Sequence, residues 1–183
     1  MKRLNIGCGL DYRKGWVNMD FNKEVRADVY HDFEKLPLPF KNNEFDFILL
    51  DNVLEHVRSE IYLKMIDELW RISKKGAIIE IWTPHYSGMY ASKHPTHYKY
   101  FGIGSFDTWR IEQCFNGERY GKARFKLVEE RLLFFHHNLV NMRFISALPI
   151  NWLFNFGRAW KQLMERFQFL GFDEIKHRLE VIK

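Results

Sequence analysis

The sequence predicts an α/β protein: a doubly wound, mostly parallel sheet with an antiparallel C-terminal strand, in a single domain over residues 1–183. Two observations carry that expectation. Short apolar runs alternate with a segment of helical periodicity, the pattern of strand–helix–strand crossovers whose right-handed sense fixes the winding. Where the runs stop, at Gly7, Asp20, Asp32, Asp51 and Pro84, glycine, acids and a proline recur, and ligands of such sheets sit outside the carboxyl ends of the strands.

Taken in order, Lys2–Ile6 reads as a first strand, Gly7-Cys8-Gly9 as a turn without side-chain bulk, and Trp16–Asp20 as a second strand ending on a carboxylate. Ala27–Asp32 is a short strand that again ends on an acid. Leu36-Pro37-Leu38-Pro39-Phe40 is a rigid extended connector, since each proline fixes its own φ and keeps its predecessor out of a helix. Phe45–Leu50 is the clearest strand, apolar nearly throughout, as expected where both sheet faces are covered. Residues 57–72 show helical periodicity, with Ile61, Met65, Leu69 and Ile72 on one stripe. Lys74-Lys75-Gly76 then reads as the cationic, glycine-capped end of that helix. Ala77–Trp82 is the next strand, stopped at Thr83-Pro84. Residues 85–121, rich in His, Tyr, Gly and Ser, predict a long loop with a short helix near Ser105–Phe115. Phe125–Phe135 and Glu174–Ile182 read as strands, and between them residues 139–170 form an apolar, aromatic helical segment broken at Pro149.

Composition narrows the class. Apolar and charged fractions of 46% and 28% are those of a globular domain. The net charge of +5 is mildly C-terminal and interspersed, which permits contact with nucleic acid or an anionic surface without demanding it. Two cysteines, Cys8 and Cys114, make no disulfide framework and are expected as reduced thiols in a cytoplasmic protein. With a strand beginning at residue 2 and no apolar run reaching ~18 residues, neither a signal peptide nor a membrane span is expected.

The glycine turn lets backbone N–H groups approach a ligand, and the acid on the neighbouring strand can accept two hydrogen bonds from a ribose diol. A dinucleotide fingerprint would need a third glycine opening a crossover helix. Here Leu10-Asp11-Tyr12 follows Gly9, and only residues 7–15 separate the two strands, too few for a full helix. A nucleoside ligand without phosphates fits better than NAD.

Leu4-Asn5-Ile6-Gly7-Cys8-Gly9 with Gly15-Trp16-Val17-Asn18-Met19-Asp20 resembles the opening of the class I S-adenosylmethionine-dependent methyltransferases, in a compact subgroup of the type 11 kind with a shortened first crossover. Asp28 to Phe33 with Leu36-Pro37, Phe45–Ile48, Val53-Leu54-Glu55-His56, His94-Pro95-Thr96-His97 and the closing Leu179–Lys183 are similar too. Asn52 departs from the histidine frequent in that group. The resemblance implies a Rossmann-like transferase fold with S-adenosylmethionine as cofactor, residues 1–84 as its binding half, and residues 85–183 as acceptor loop, aromatic helices and last strands. It also implies that Gly7, Cys8 and Gly9 hold the methionine part, Asp20 the ribose, and Asp32 with the Phe33 backbone the adenine edge. Asp51 and Asn52 would line the pocket under the sulfonium.

Methyl transfer is an in-line displacement in which the protein positions and desolvates the acceptor, sometimes with a general base. His85, directly after the fifth strand, and then His97 are the candidate catalytic bases. His85, His94 and His97 would suffice for zinc by count, but they stand in a Pro-containing loop without an acidic or thiolate partner at motif spacing, and no metal is expected. The acceptor is expected to be a small molecule or a glycan- or lipid-linked compound. Residues 142–172, aromatic and basic, either cover the sheet, form a homodimer contact or touch a membrane surface peripherally, and RNA ranks below these. The alternative is a catalytically inactive cofactor-binding module that regulates or scaffolds a partner.

Overall fold

The computed structural model of the chain describes residues 1–111, 120–133, 155–166 and 171–183. Cys114, the His136-His137 pair, Pro149 and most of the 142–172 segment lie outside the described residues. The strands are β1 (Arg3–Ile6), β2 (Val17–Asp20), β3 (Val29–Tyr30), β4 (Phe45–Asp51), β5 (Ser73–Pro84), β6 (Phe125–Leu133) and β7 (Glu174–Val181). They form one seven-stranded sheet in the order β3-β2-β1-β4-β5-β7-β6. β1 to β5 run parallel, and β7 is antiparallel to both of its neighbours. The expected α/β class and the reversed C-terminal strand are both present. The order turns back between β1 and β4, which is where ligands of doubly wound sheets bind.

The centre of the sheet is dry. Leu4, Ile6, Met19, Ile48, Leu50, Ile79 and Ile81 are all buried, because helices and loops cover both faces. Helix α1 (Ser59–Ile72) seals one side through Tyr62, Met65, Ile66, Leu69 and Ile72, while Ile61, placed on the predicted stripe, is only partly buried. The helix begins two residues later than its periodicity suggests. Lys74-Lys75-Gly76 does not cap it. Those residues already belong to β5, where the register against β4 slips between Phe45 and Phe47, and Gly76 at φ +74° supplies the turn of that irregularity. The 85–121 loop holds a five-residue helix α2 (Met89–Lys93) and a 3-10 turn at Asp107–Trp109.

The short first crossover has no helix, and side chains hold it instead. Asn18, fully buried in β2, accepts from Arg13 N–H (2.9 Å) and donates to Arg13 O (3.0 Å). Asp28 accepts both the Asn18 backbone N–H (2.8 Å) and its side-chain amide (2.9 Å), while Asn5 in β1 donates to Asp11 O (2.8 Å). Hydrogen bonding by Asn18 holds the Asp28 carboxyl below its usual range, with burial opposing and Tyr12 assisting.

At the far edge, helix α3 (Arg158–Arg166) turns polar side chains inward. Arg158 pairs with both oxygens of Asp107 (2.6 Å each) and sits 3.3 Å from the buried Glu130 carboxylate, and Lys161 donates to Glu130 O. Phe156, Trp160 and Leu163 are exposed, so within residues 155–166 these apolar side chains do not cover the sheet. Burial pushes the Glu130 carboxyl up, but His177, the Gly104 N–H and Arg158 outweigh it and hold the group below its usual value. An acid depressed in the folded state contributes stability above its unfolded pKa of ~4.3 and loses it as pH falls through the folded value. Glu130→Gln is therefore expected to cost about 1–3 kcal/mol at pH 7, with the deficit shrinking below about pH 4. Urea unfolding midpoints of both proteins across that range test this.

Candidate functional site

A cavity of about 680 Å³ opens at the carboxyl ends of β1, β2 and β4, lined by Gly7, Asp20, Phe21, Asp32, Phe33 and Asn52 among others. Its size is that of a pocket for a drug-sized ligand. Gly7 ends β1 at φ +64°, and a Cβ there would stand 2.6 Å from Val53 Cγ2. The turn after β1 and the segment after β4 thus touch at a point where only a glycine fits. Asp20 is buried at the tip of β2, with Oδ2 accepting from Gly9 N–H (2.8 Å) and Oδ1 from Asn22 N–H (2.9 Å). Two backbone donors fix the carboxylate and leave lone pairs for a ligand. Phe21 and Phe33 meet edge to face, ring centroids 6.3 Å apart, and give the cavity an aromatic wall.

Five of the eight cofactor residues expected from the sequence, namely Gly7, Asp20, Asp32, Phe33 and Asn52, line this cavity. Cys8 and Gly9 are not part of its lining; their backbone N–H groups bond Met19 O (3.1 Å) and Asp20 Oδ2 (2.8 Å) on β2. Burial, with the Asp20 charge adding, pushes the Cys8 thiol up to about 11, so it stays protonated and inert as a nucleophile. Asp32 also accepts from Glu34 N–H (3.0 Å), as a turn-capping aspartate does. Asp51 accepts from the Asn52 amide (2.9 Å) beside the cavity. Asn52 itself adopts φ +54°, a conformation asparagine tolerates better than most residues.

A second cavity, of about 490 Å³, lies next to the first and shares Asn52, His56 and His94 with it. Glu55, Pro84, Tyr90, Lys93 and His97 complete its lining. Of the two candidate catalytic histidines, His97 is here and His85 is not. His85 is fully buried, with Nδ1 2.8 Å from Ser87 Oγ and Nε2 2.9 Å from Glu165 Oε1, so both ring nitrogens are engaged in tying the loop to α3. Sequence reasoning placed no functional role on Glu55 or His56. Glu55 is buried, neither carboxyl oxygen has a hydrogen-bond partner among the described residues, and burial raises its pKa to about 8, with Asp51 and Glu174 adding to the shift. An acid inside the apolar run Val53–Val57 was the available signal. Burial, then the neighbouring His97 ring, lowers the His56 pKa, against the Thr96 contact.

The sheet order, the glycine turn and the acid at the tip of β2 define the class I S-adenosylmethionine-dependent methyltransferase fold. Residues 3–81, less than half of the chain, match the family described as a methyltransferase domain. A protein of Methanocaldococcus jannaschii is 33% identical over 43% of this chain and 39% of its own. The chain spans about two fifths of the length of the curated relatives it matches. A SAM-dependent methyltransferase from Archaeoglobus fulgidus superposes with a TM-score of 0.58 at 16% identity, covering 98% of this chain and 86% of that one. Phosphoethanolamine N-methyltransferase 2 of Haemonchus contortus, in complex with S-adenosyl-L-methionine, gives 0.55 at 16% identity over 100% of this chain and 50% of that one. At such identities the two likenesses bear on the fold alone.

The contact between Gly7 and Val53 can be tested by stability. Gly7→Ala is expected to cost about 1–3 kcal/mol through its left-handed backbone and the clash. Adding Val53→Ala should recover the steric part and leave the backbone part, as a double-mutant cycle of denaturant midpoints will show.

Proposed function

We propose that the chain binds S-adenosylmethionine in the larger cavity and transfers its methyl group to a small-molecule or glycan-like acceptor, free or lipid-linked, held in the smaller one. The observation that carries this reading is the meeting of two cavities at Asn52, His56 and His94, one of them built on Gly7 and Asp20 at the point where the strand order reverses. The residues fit the donor. Asp20 offers carboxylate lone pairs to a ribose diol, the Phe21–Phe33 wall suits a flat base, and the bulk-free turn at Gly7 admits the amino-acid end. Neither a third glycine nor a crossover helix follows the turn, which leaves a pyrophosphate without its usual support.

The bound donor supplies an electrophilic methyl on a sulfonium: the sulfur–carbon bond breaks, a bond from carbon to the acceptor forms, and a neutral thioether leaves. The protein's own work is to align the acceptor, exclude water and remove the acceptor's proton. Proton removal falls to the histidine cluster of the smaller cavity, where His97 stands, because both nitrogens of His85 are engaged elsewhere. The adjoining second cavity favours an enzyme over a non-catalytic cofactor-binding module.

Calorimetry with S-adenosylhomocysteine should give saturable binding that NAD does not displace. Asp20→Ala is expected to weaken it by about 1–3 kcal/mol, the scale for losing a charged hydrogen-bond partner. Unchanged affinity would remove the ribose contact from the proposal. Transfer of a radiolabelled methyl group into small-molecule, lipid, protein and RNA fractions then identifies the acceptor class, and no transfer into any fraction would favour the inactive module.

A further inference from the structure

The sequence offers His85, His94 and His97 as a possible trio, but the fold assembles a different one. His56, at the end of the 3-10 turn Leu54–His56 after β4, meets His94 and His97 from the loop after α2. One ring nitrogen from each lies within 4.8 Å of one from each of the others. The ring centroids are 5.3, 4.7 and 5.1 Å apart.

The outer contacts of these rings are those of metal-binding imidazoles, which donate one N–H to an oxygen and present the other nitrogen. His97 Nδ1 is 3.0 Å from Ala91 O, and a carbonyl can only accept, so that nitrogen carries the proton and Nε2 keeps its lone pair. His56 Nδ1 lies 3.2 Å from Thr96 O and 2.8 Å from Thr96 Oγ1, which sets the same tautomer. Thr96 Oγ1 is also 2.9 Å from His94 Nδ1, and a hydroxyl oxygen has lone pairs enough to accept from both rings. A single threonine thus orients two imidazoles. Beside them, in the same cavity, stands the buried Glu55 carboxyl without a hydrogen-bond partner among the described residues, and Asn52 Oδ1 is in the same condition. Buried polar atoms without a partner call for an explanation, and a bound ion with its water supplies one here.

We propose that His56, His94 and His97 bind one divalent transition-metal cation of the zinc type through one imidazole nitrogen each, with an open coordination position facing the cavity of Glu55, Tyr90 and Lys93. Zinc–nitrogen distances of about 2.0–2.1 Å place donor nitrogens roughly 3.4 Å apart, so closure from 4.8 Å needs an inward shift within reach of side-chain rotation. Three nitrogen donors without a thiolate suit zinc, iron, nickel or copper over calcium or magnesium. Three protein ligands and one open position are the plan of a catalytic site, not a structural one. Metal binding stands on the cluster alone; its use rests on the methyl-transfer reading. There the cation would take an oxygen of the acceptor, ease loss of its proton to solvent in place of a histidine base, and hold it toward the neighbouring donor cavity.

Cobalt(II) chloride titrated into the metal-stripped full chain tests the assignment, read by visible absorption and competed with zinc chloride. The expected result is saturation at one equivalent and displacement by zinc. His94→Gln and His97→Gln, checked for unchanged thermal unfolding, should each weaken cobalt binding at least about tenfold. Absence of a saturable spectrum, or equal affinity in both variants, overturns the site. S-adenosylhomocysteine calorimetry on the same samples keeps the two readings apart: lost donor binding with cobalt retained counts against methyl transfer alone, and the reverse counts against the metal alone.

Discussion

The architecture depends on how β1 reaches β2 without a helix. A parallel crossover of this length leaves backbone donors and acceptors that a helix would have paired internally, and each one left dry would cost free energy. Asn18 takes over that work from inside the sheet. Its amide and backbone bind Arg13 and Asp28, and Asn5 holds Asp11, so the link from 7 to 16 closes on itself. The consequence at the site is direct. With the turn fixed, the Gly9 N–H points at Asp20, and the carboxylate is locked at the tip of β2 before any ligand binds. Preorganisation of this kind spares binding the entropy of ordering the loop.

The same economy appears at the smaller cavity. The segment after β4 serves two cavities at once: Val53 packs against Gly7, Asn52 and His56 face both spaces, and Glu55 lies under the second. The loop after β5 closes over this segment from the other direction, bonding the Tyr98 N–H to Glu55 O (2.8 Å). His85 anchors that loop through Glu165, which also accepts from the Ile103 N–H (2.5 Å). A histidine directly beyond a strand tip can therefore be a structural post, while the rings that line the smaller cavity come from the segments on either side of it in the chain.

Much of the parallel part of the sheet was legible because its signals are local. An apolar run such as Phe45–Leu50 identifies a buried strand without outside help, and a bulk-free turn beside a strand-ending acid marks the end of the sheet where the larger cavity opens. Boundaries were less legible. Lys74-Lys75-Gly76 has the composition of a helix end, yet pairing between β4 and β5 draws it into a strand, since tertiary hydrogen bonds outweigh a local capping preference. The position of the apolar stripe on α1 shifted for a similar reason: packing on the sheet selected Tyr62 and Ile66 over Ile61.

The sequence by itself determined the fold class and the strand ends that border the larger cavity, because alternating burial and backbone freedom are written residue by residue. Only the tertiary structure decided which histidines meet. His56 lies some forty residues before His94 in the chain, and no spacing rule relates them. They come together because β4 and β5 are neighbours in the sheet, so the segments leaving their carboxyl ends must share one space.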